Sequence, residues 1–113
     1  MTLRVVILPE AERDADRIYR WIADRSVDGA DRWYGRFLAA MRSLTSGPET
    51  HSLAPESEHV SRDIRQLLFK TTKGLRYRIL FTFTGTTVYV LHVRGPGQQL
   101  VGPSELRTID PND

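Results

Sequence analysis

The stretch RYRILFTFTGTTVYVLHVR, residues 76–94, predicts a β-hairpin. It is rich in β-branched and aromatic residues, and Gly85-Thr86 interrupts it in the way that a two-residue turn does. Counting outward from that turn fixes a register for the two strands. The predicted pairs are Phe83 with Val88, Phe81 with Val90, Ile79 with His92, and Tyr77 with Arg94.

This register assigns the side chains of the hairpin to two faces. One face is aromatic and aliphatic, which is typical of a face that contacts helices. The other face mixes polar and apolar side chains, namely Arg78, Leu80, Thr82, Tyr89, Leu91 and Val93. Because this second face is half apolar, we expect a partner protein to cover it. The same register places Arg78 and Arg94 on opposite faces.

The hairpin is predicted to be part of a larger sheet. A strand-like run from Ile64 to Phe69 precedes it, and the turn-forming run Thr71-Thr72-Lys73-Gly74 separates the two. These runs predict a three-stranded antiparallel meander. Residues 47–62 have no hydrophobic period and are predicted to form a long surface loop ahead of the meander.

The N-terminal residues predict one strand and one helix. The run from Leu3 to Leu8 is apolar on both parities, which is typical of a strand covered on both faces, so we expect an interior strand. Pro9 ends this strand and begins a helix over residues 10–25, whose apolar side chains recur every three or four positions.

A second helix is predicted after a short break. Ser26 or Asp28 is its expected N-cap, and Gly47-Pro48 is its expected end. Trp33 and Phe37 lie on its apolar stripe. So short a link predicts an antiparallel two-helix hairpin packed on the sheet. The chain is therefore predicted to be α+β: an N-terminal strand, the helical hairpin, and the meander completing one small sheet.

Length and composition indicate one ordinary globular domain. The chain has 113 residues and a mass of 12.9 kDa, which predicts a single domain over residues 1–113. Its core is expected over about residues 2–97, and residues 98–113 form a weakly patterned tail. The 40% hydrophobic and 27% charged residues exclude wholesale disorder. No apolar run is as long as a signal peptide's core or a membrane helix, so we expect a cytoplasmic location.

Positive charge is concentrated in one part of the chain. The formal net charge is only +2, but residues 64–104 contain six basic residues and no acidic one. The six are Arg65, Lys70, Lys73, Arg76, Arg78 and Arg94. Such a surface attracts either nucleic acid or the acidic surface of a protein, and charge alone does not separate these partners from a merely solvated strand face.

The histidines do not form the pattern of a metal site. His51, His59 and His92 are scattered along a chain that has no cysteine, so neither a metal nor a cofactor is predicted. His92 lies among valines and leucines, which is more typical of a packing residue than of a catalyst.

Arginine within a strand is the more informative signal. Arg78 lies between Tyr77 and Ile79, where an arginine needs a salt bridge, an exposed edge or a function. If one end of the sheet brings it together with the nearby basic residues, the group would form a pocket that stabilises a phosphate. Those residues are Arg94, Lys70 and Lys73.

Four segments, taken in order, carry a family resemblance. They are Leu8-Pro9-Glu10-Ala11, Ile18 with Trp21-Ile22, Leu75 to Phe81, and Val90 to Gly95. This order resembles the RelE/ParE superfamily of toxins from type II toxin–antitoxin pairs, which includes the plasmid stabilisation proteins. The resemblance covers about residues 2–97. It implies a small sheet carrying two packed helices, a cytoplasmic bacterial toxin, and a cognate antitoxin that blocks its activity.

The superfamily contains two target classes. RelE-like members cut messenger RNA on the ribosome, and by resemblance Arg78 and Arg94 would be catalytic, with Lys70 or Lys73 at their basic strand positions. Such nucleases generally carry a tyrosine or histidine shortly after the last arginine, and residues 95–113 contain neither. ParE-like members instead inhibit DNA gyrase by binding, and the ending of the last strand is more similar to theirs.

The resemblance therefore favours a ParE-like gyrase inhibitor that is not an enzyme. Its expected target-binding residues are Arg94, His92, Arg76 and Arg78. A RelE-like, ribosome-dependent endoribonuclease is the alternative, and an inactive or unrelated basic module is a third interpretation.

Overall fold

The computed structural model describes residues 2–71 and 73–107, which form a four-stranded mixed sheet with two long helices on one face. The elements in chain order are β1 (Arg4–Ile7), α1 (Pro9–Ala23), α2 (Val27–Ser43), β2 (Arg65–Lys70), β3 (Arg76–Thr84), β4 (Thr87–Arg94) and α3 (Pro103–Arg107). The predicted α+β architecture is confirmed. Met1, Thr72 of the predicted turn and residues 108–113 of the predicted tail lie outside the described residues. Across the described ranges no helix is long and apolar enough to cross a membrane.

The sheet has the strand order β1-β4-β3-β2, so β1 lies at an edge. It pairs in parallel with β4, from Arg4 opposite Thr87 to Ile7 opposite Val90. The prediction of an interior strand was wrong. Apolar residues at both odd and even positions indicate that both faces of a strand are partly covered. They do not indicate whether the strand is paired on one edge or on both.

The two helices begin where local chemistry predicts. Pro9 is the first residue of α1, where its missing N–H costs nothing, and Glu10 and Glu12 lie in the first turn near the positive end of the helix dipole. Ser26 caps α2 by accepting a hydrogen bond from the backbone N–H of Gly29 at 2.9 Å. The end of α2 comes at Ser43, earlier than predicted.

The main core lies between the helices and the sheet. Trp33 and Phe37 of α2 are fully buried there, and their rings stack in parallel with centroids 5.3 Å apart. The buried strand residues of this core are Tyr77, Ile79, Phe81, Val88, Val90 and Val93. The predicted apolar stripe is confirmed, and we call this side of the sheet the helix side.

A β-bulge changes the predicted register of the hairpin. The pairs near the turn are as predicted, up to Phe81 opposite Val90, but Leu91 is then an extra residue and Leu80 lies opposite His92. The predicted pairs of Ile79 with His92 and Tyr77 with Arg94 were therefore wrong. The observed partners are Val93 for Ile79 and Arg94 for Arg78. Directly opposite residues share a face, so Arg78 and Arg94 are not on opposite faces.

The second face of the sheet, opposite the helix side, is covered by the chain itself. A second apolar cluster lies there, made of Ala54, Ile64, Leu80, Leu91, Val101 and Leu106. We expected a partner to cover this face, and the structure shows that the 47–62 segment and the tail already fold over it. That segment contains two short 3-10 helices, Pro48–Thr50 and Pro55–His59, within the predicted long loop.

Candidate functional site

Basic residues converge at one end of the sheet, where β2 ends, β3 begins and β4 ends. Lys70 pairs with Arg76, and Arg78 pairs with Arg94. The alternation of side chains along each strand puts these four on the second face. Lys73 lies in the turn between β2 and β3. We call these five residues the basic end. The structure thus brings Arg78 to the same end of the sheet as Arg94, Lys70 and Lys73, which was the condition for a shared pocket in the sequence analysis.

The members of the basic end differ in how much solvent they meet. Lys70, Lys73 and Arg76 are exposed. The side chains of Arg78 and Arg94 are only 19% and 13% exposed. A large partner therefore meets the first three most directly, while Arg78 and Arg94 lie beneath the surface with partners of their own.

Arg78 is held by a buried carboxylate. Its Nη1 and Nη2 donate to Oε1 and Oε2 of Glu56 at 3.0 and 2.8 Å, and Nη1 also donates to Oε1 of Gln66 at 3.0 Å. The backbone N–H of Val101 donates to Oε2 of Glu56 at 3.0 Å. Burial raises the pKa of the Glu56 carboxyl, but the bonds from Arg78 and Val101 outweigh it, so the pKa is lowered overall. This bidentate pair joins the 47–62 segment, β3 and the tail.

Arg94 lies beside a second carboxylate from the tail. Its Nη2 is 3.5 Å from Oε2 of Glu105 in α3. Oε1 of Glu105 accepts a hydrogen bond from the backbone N–H of Gly102 at 3.3 Å. Because Glu105 is half exposed, this contact is weaker than the Glu56–Arg78 pair and leaves Arg94 more available to a competing anion.

His92 is buried and bound within the fold. Its Nδ1 lies 2.9 Å from Oδ2 of Asp14 in α1, and the same oxygen accepts from the backbone N–H of Val93 at 3.0 Å. Burial raises the pKa of Asp14, but the bonds from His92 and Val93 lower it more, so this carboxyl is ionised and Nδ1 carries the donated hydrogen. His92 thus ties α1 to the end of β4 and is not at the surface.

The other histidines lie apart from the basic end. His51 packs edge-on against Phe81 with ring centroids 5.7 Å apart, and His59 is exposed at the end of a 3-10 helix. Within residues 2–71 and 73–107, no three His, Asp or Glu side chains form a group that could hold a metal ion.

Sequence reasoning missed the acidic partners of the basic residues. Asp14 is 78 positions from His92 and Glu56 is 22 positions from Arg78, whereas Glu105 follows Arg94 more closely, in the weakly patterned tail. One signal was available for Glu56, because the acid-rich segment 49–63 directly precedes the acid-free, basic segment 64–104. Opposite charge in neighbouring segments indicates pairing between them, although it does not say which residues meet.

A protein family and an individual protein are similar to this chain. The family model described as "ParE toxin of type II toxin-antitoxin system, parDE" matches residues 5–100. A protein named Toxin RelE1, from Caulobacter vibrioides, is 30% identical over 94 residues, which cover 82% of this chain and 92% of that relative.

Proposed function

Because the chain belongs to the ParE toxin family of type II toxin–antitoxin systems, we propose that it inhibits DNA gyrase by binding and that a cognate antitoxin neutralises it. Membership of the family makes the chain a toxin with an antitoxin partner. The proposal adds gyrase as the target, the cytoplasm as the place of action, and binding without a cofactor as the mode.

The engagement of Arg78 is the observation that carries this proposal. A nuclease needs a cation free to stabilise the charge that develops on a phosphate, together with a group that moves a proton. Both terminal nitrogens of Arg78 are already bonded to Glu56. No tyrosine or histidine follows Arg94 in the sequence, and the imidazole of His92 is buried against Asp14. These features support binding over cleavage.

The exposed part of the basic end suits contact with an acidic protein surface. Arg76, Lys70 and Lys73 are exposed, and no acidic residue lies between positions 64 and 104. Complementary charge of this kind speeds association and selects the partner. We assign direct target contact to the exposed Arg76, and to Arg94 once an acidic group of the target displaces its half-exposed partner Glu105. Arg78 and His92 support the strands that present them.

A RelE-like messenger RNA endoribonuclease is the second candidate, and one observation favours it. The bulge at Leu91 brings Arg78 and Arg94 directly opposite each other, as a shared phosphate site requires. The relative named Toxin RelE1 belongs to the same superfamily. Cleavage by this chain would first require that Arg78 leave Glu56.

Gyrase supercoiling by purified enzyme, with and without the toxin, tests the proposal. We expect inhibition by the wild-type toxin. Arg76→Glu should raise the concentration for half-inhibition about three- to tenfold, because an exposed interface charge acts mainly on the association rate. Arg42→Glu, an exposed arginine on α2, is the matched control and should inhibit like the wild type. Arg94→Gln should also weaken inhibition without placing a new acid beside Glu105.

Primer extension on ribosome-bound messenger RNA provides the opposing test. Codon-specific cuts that are lost in Arg78→Ala and Arg94→Ala, with supercoiling unaffected, would replace the gyrase proposal with the nuclease. Circular dichroism must first establish that each variant is folded, since Arg78 is part of a buried pair.

A further inference from the structure

An apolar groove lies on the helix side, at the same end of the sheet as the basic end. It encloses about 420 Å³, within the range of pockets that hold ligands or side chains. Ile18 and Trp21 of α1 form one wall, Leu75 and Tyr77 form the other, and Pro96 closes it after β4. The residues assigned to target contact, Arg76 and Arg94, do not line this groove.

Two large apolar side chains in the groove are largely exposed to solvent. Trp21 is 58% exposed and Leu75 is 46% exposed, although they come from different parts of the chain and line the same cavity. The guanidinium of Arg25 lies 3.8 Å from the centre of the indole ring and donates to the backbone carbonyl of Trp21 at 2.9 Å. A cation held over the ring restricts its rotation, so the indole is already ordered for a partner.

The charge around the groove is positive. Arg17 lines it, Arg25 lies on Trp21, and no acidic residue is among the described residues that line it. The acid closest to Arg17 is Asp14 at 3.7 Å, and Asp14 is already bonded to His92 and Val93. An acidic segment is therefore the complementary occupant.

We propose that this groove binds an acidic segment of the cognate antitoxin, with one bulky apolar side chain inserted between Trp21 and Leu75. The inference rests on the proposed function, because it takes the antitoxin as the occupant. Leu75 immediately precedes Arg76, and the groove continues to Gly95, next to Arg94. The groove and these arginines lie at the same end of the sheet but on opposite faces, so a segment that extends past this end obstructs gyrase while it is bound.

The two tryptophans of the chain allow a direct test. Trp33 is buried in the core and Trp21 is exposed, so only Trp21 should respond to a partner in the groove. The probe is the purified product of the open reading frame next to the toxin gene, added to the full-length toxin. We expect a blue shift of the emission and protection from acrylamide quenching. Trp21→Phe keeps only Trp33 and should show neither change.

Affinity measured by titration calorimetry completes the test. Leu75→Ser should weaken antitoxin binding about tenfold or more, as loss of an apolar anchor does. Leu53→Ser is the matched control, since Leu53 is 50% exposed and is not among the residues that line the groove. Arg17→Glu should also weaken binding, and raising the salt concentration should reduce the difference between Arg17→Glu and the wild type.

Each outcome decides one proposal or the other. Antitoxin binding with Trp21 still open to quenching, and with Leu75→Ser at wild-type affinity, overturns the groove and leaves the proposed function intact. Loss of gyrase inhibition in Leu75→Ser with unchanged antitoxin affinity assigns the groove to the target, which also overturns the inference. Protection of Trp21 by the antitoxin, with supercoiling unaffected by the toxin, supports the groove and contradicts gyrase as the target. A chain that binds no antitoxin overturns both.

Discussion

Glu56 is a carboxylate with no exposed side-chain surface, and its position depends on the bonds that it receives. Burying an unpaired charge is strongly unfavourable, so such a residue persists only when its oxygens are bonded. Glu56 accepts from Arg78 through both oxygens and from the backbone of Val101. The arginine that resembles a catalytic residue in the sequence is thus part of a structural pair. Nothing in the local sequence around Arg78 identifies that partner, because Glu56 reaches it only through the fold of the 47–62 segment.

Replacing Glu56 by glutamine should lower the free energy of unfolding. We expect a loss of about 3 kcal/mol for Glu56→Gln, the lower end for removing one partner of a buried ion pair, because Arg78 is partly exposed. Urea denaturation measures this value. Glu58→Gln in the same 3-10 helix is the control, since Glu58 is exposed and should change stability little. Equal losses in both variants would contradict a special role for Glu56.

The stability of the chain should fall in acid. The pKa values of Asp14 and Glu56 lie below their ordinary values of 3.8 and 4.5, so both carboxyls bind protons more weakly when folded than when unfolded. Their contribution is fully present above those ordinary values and is lost as the pH falls through the folded pKa values. Urea titrations between about pH 3 and pH 6 should show this decline, and it should be smaller in Glu56→Gln. The same pH dependence in both proteins would mean that Glu56 does not contribute to it.

The sequence predicted the helices and strands well, but it predicted the pairing between strands only in part. Periodic apolar positions identify a helix locally, as Trp33 and Phe37 do in α2. The turn at Gly85, where φ is 56°, fixed the register near it correctly. The bulge at Leu91 could not be predicted from the local sequence, since Leu91 packs in the second apolar cluster and the neighbouring Val93 N–H bonds to Asp14, which are contacts with distant parts of the chain.

The packing of α2 on the sheet predicts a large effect of truncating its central ring. Phe37 is 2% exposed and contacts the rings of Trp33, Tyr34 and Phe69. Phe37→Ala should lower the free energy of unfolding by about 3–5 kcal/mol, the range for a buried phenylalanine. Tyr34→Ala on the same helix is the control, because Tyr34 is 44% exposed and should cost clearly less. A loss under about 1 kcal/mol in Phe37→Ala would contradict its burial.

The chain covers both faces of its own sheet. The helices cover one face, and the 47–62 segment with the tail covers the other through Ala54, Val101 and Leu106, which cluster with Ile64 just before β2. The sequence did not predict this second layer. Each of its segments contributes only one or two apolar residues, which is too few to show a period, and the half-apolar strand face was therefore taken for a partner site.

The second layer predicts that the tail stabilises the fold. Leu106 is 5% exposed in the second cluster, whereas Leu100 is 53% exposed. Leu106→Ala should cost about 2 kcal/mol, the low end for a buried leucine because a short terminal helix relaxes easily. Leu100→Ala is the matched control and should change little. Thermal and urea unfolding measure both, and an equal response of the two variants would contradict the packing of α3 on the sheet.

The parallel pairing of β1 with β4 delays the completion of the sheet during synthesis. Arg4 cannot meet Thr87 until the ribosome has made nearly the entire described chain, and β4 is the only neighbour of β1 in the sheet. Of the described strands β1 is translated first, so it waits unpaired until β4 has been translated. Contacts between such distant positions slow folding. A nascent toxin consequently keeps the β1 edge open throughout the translation of both long helices and the first two strands of the meander.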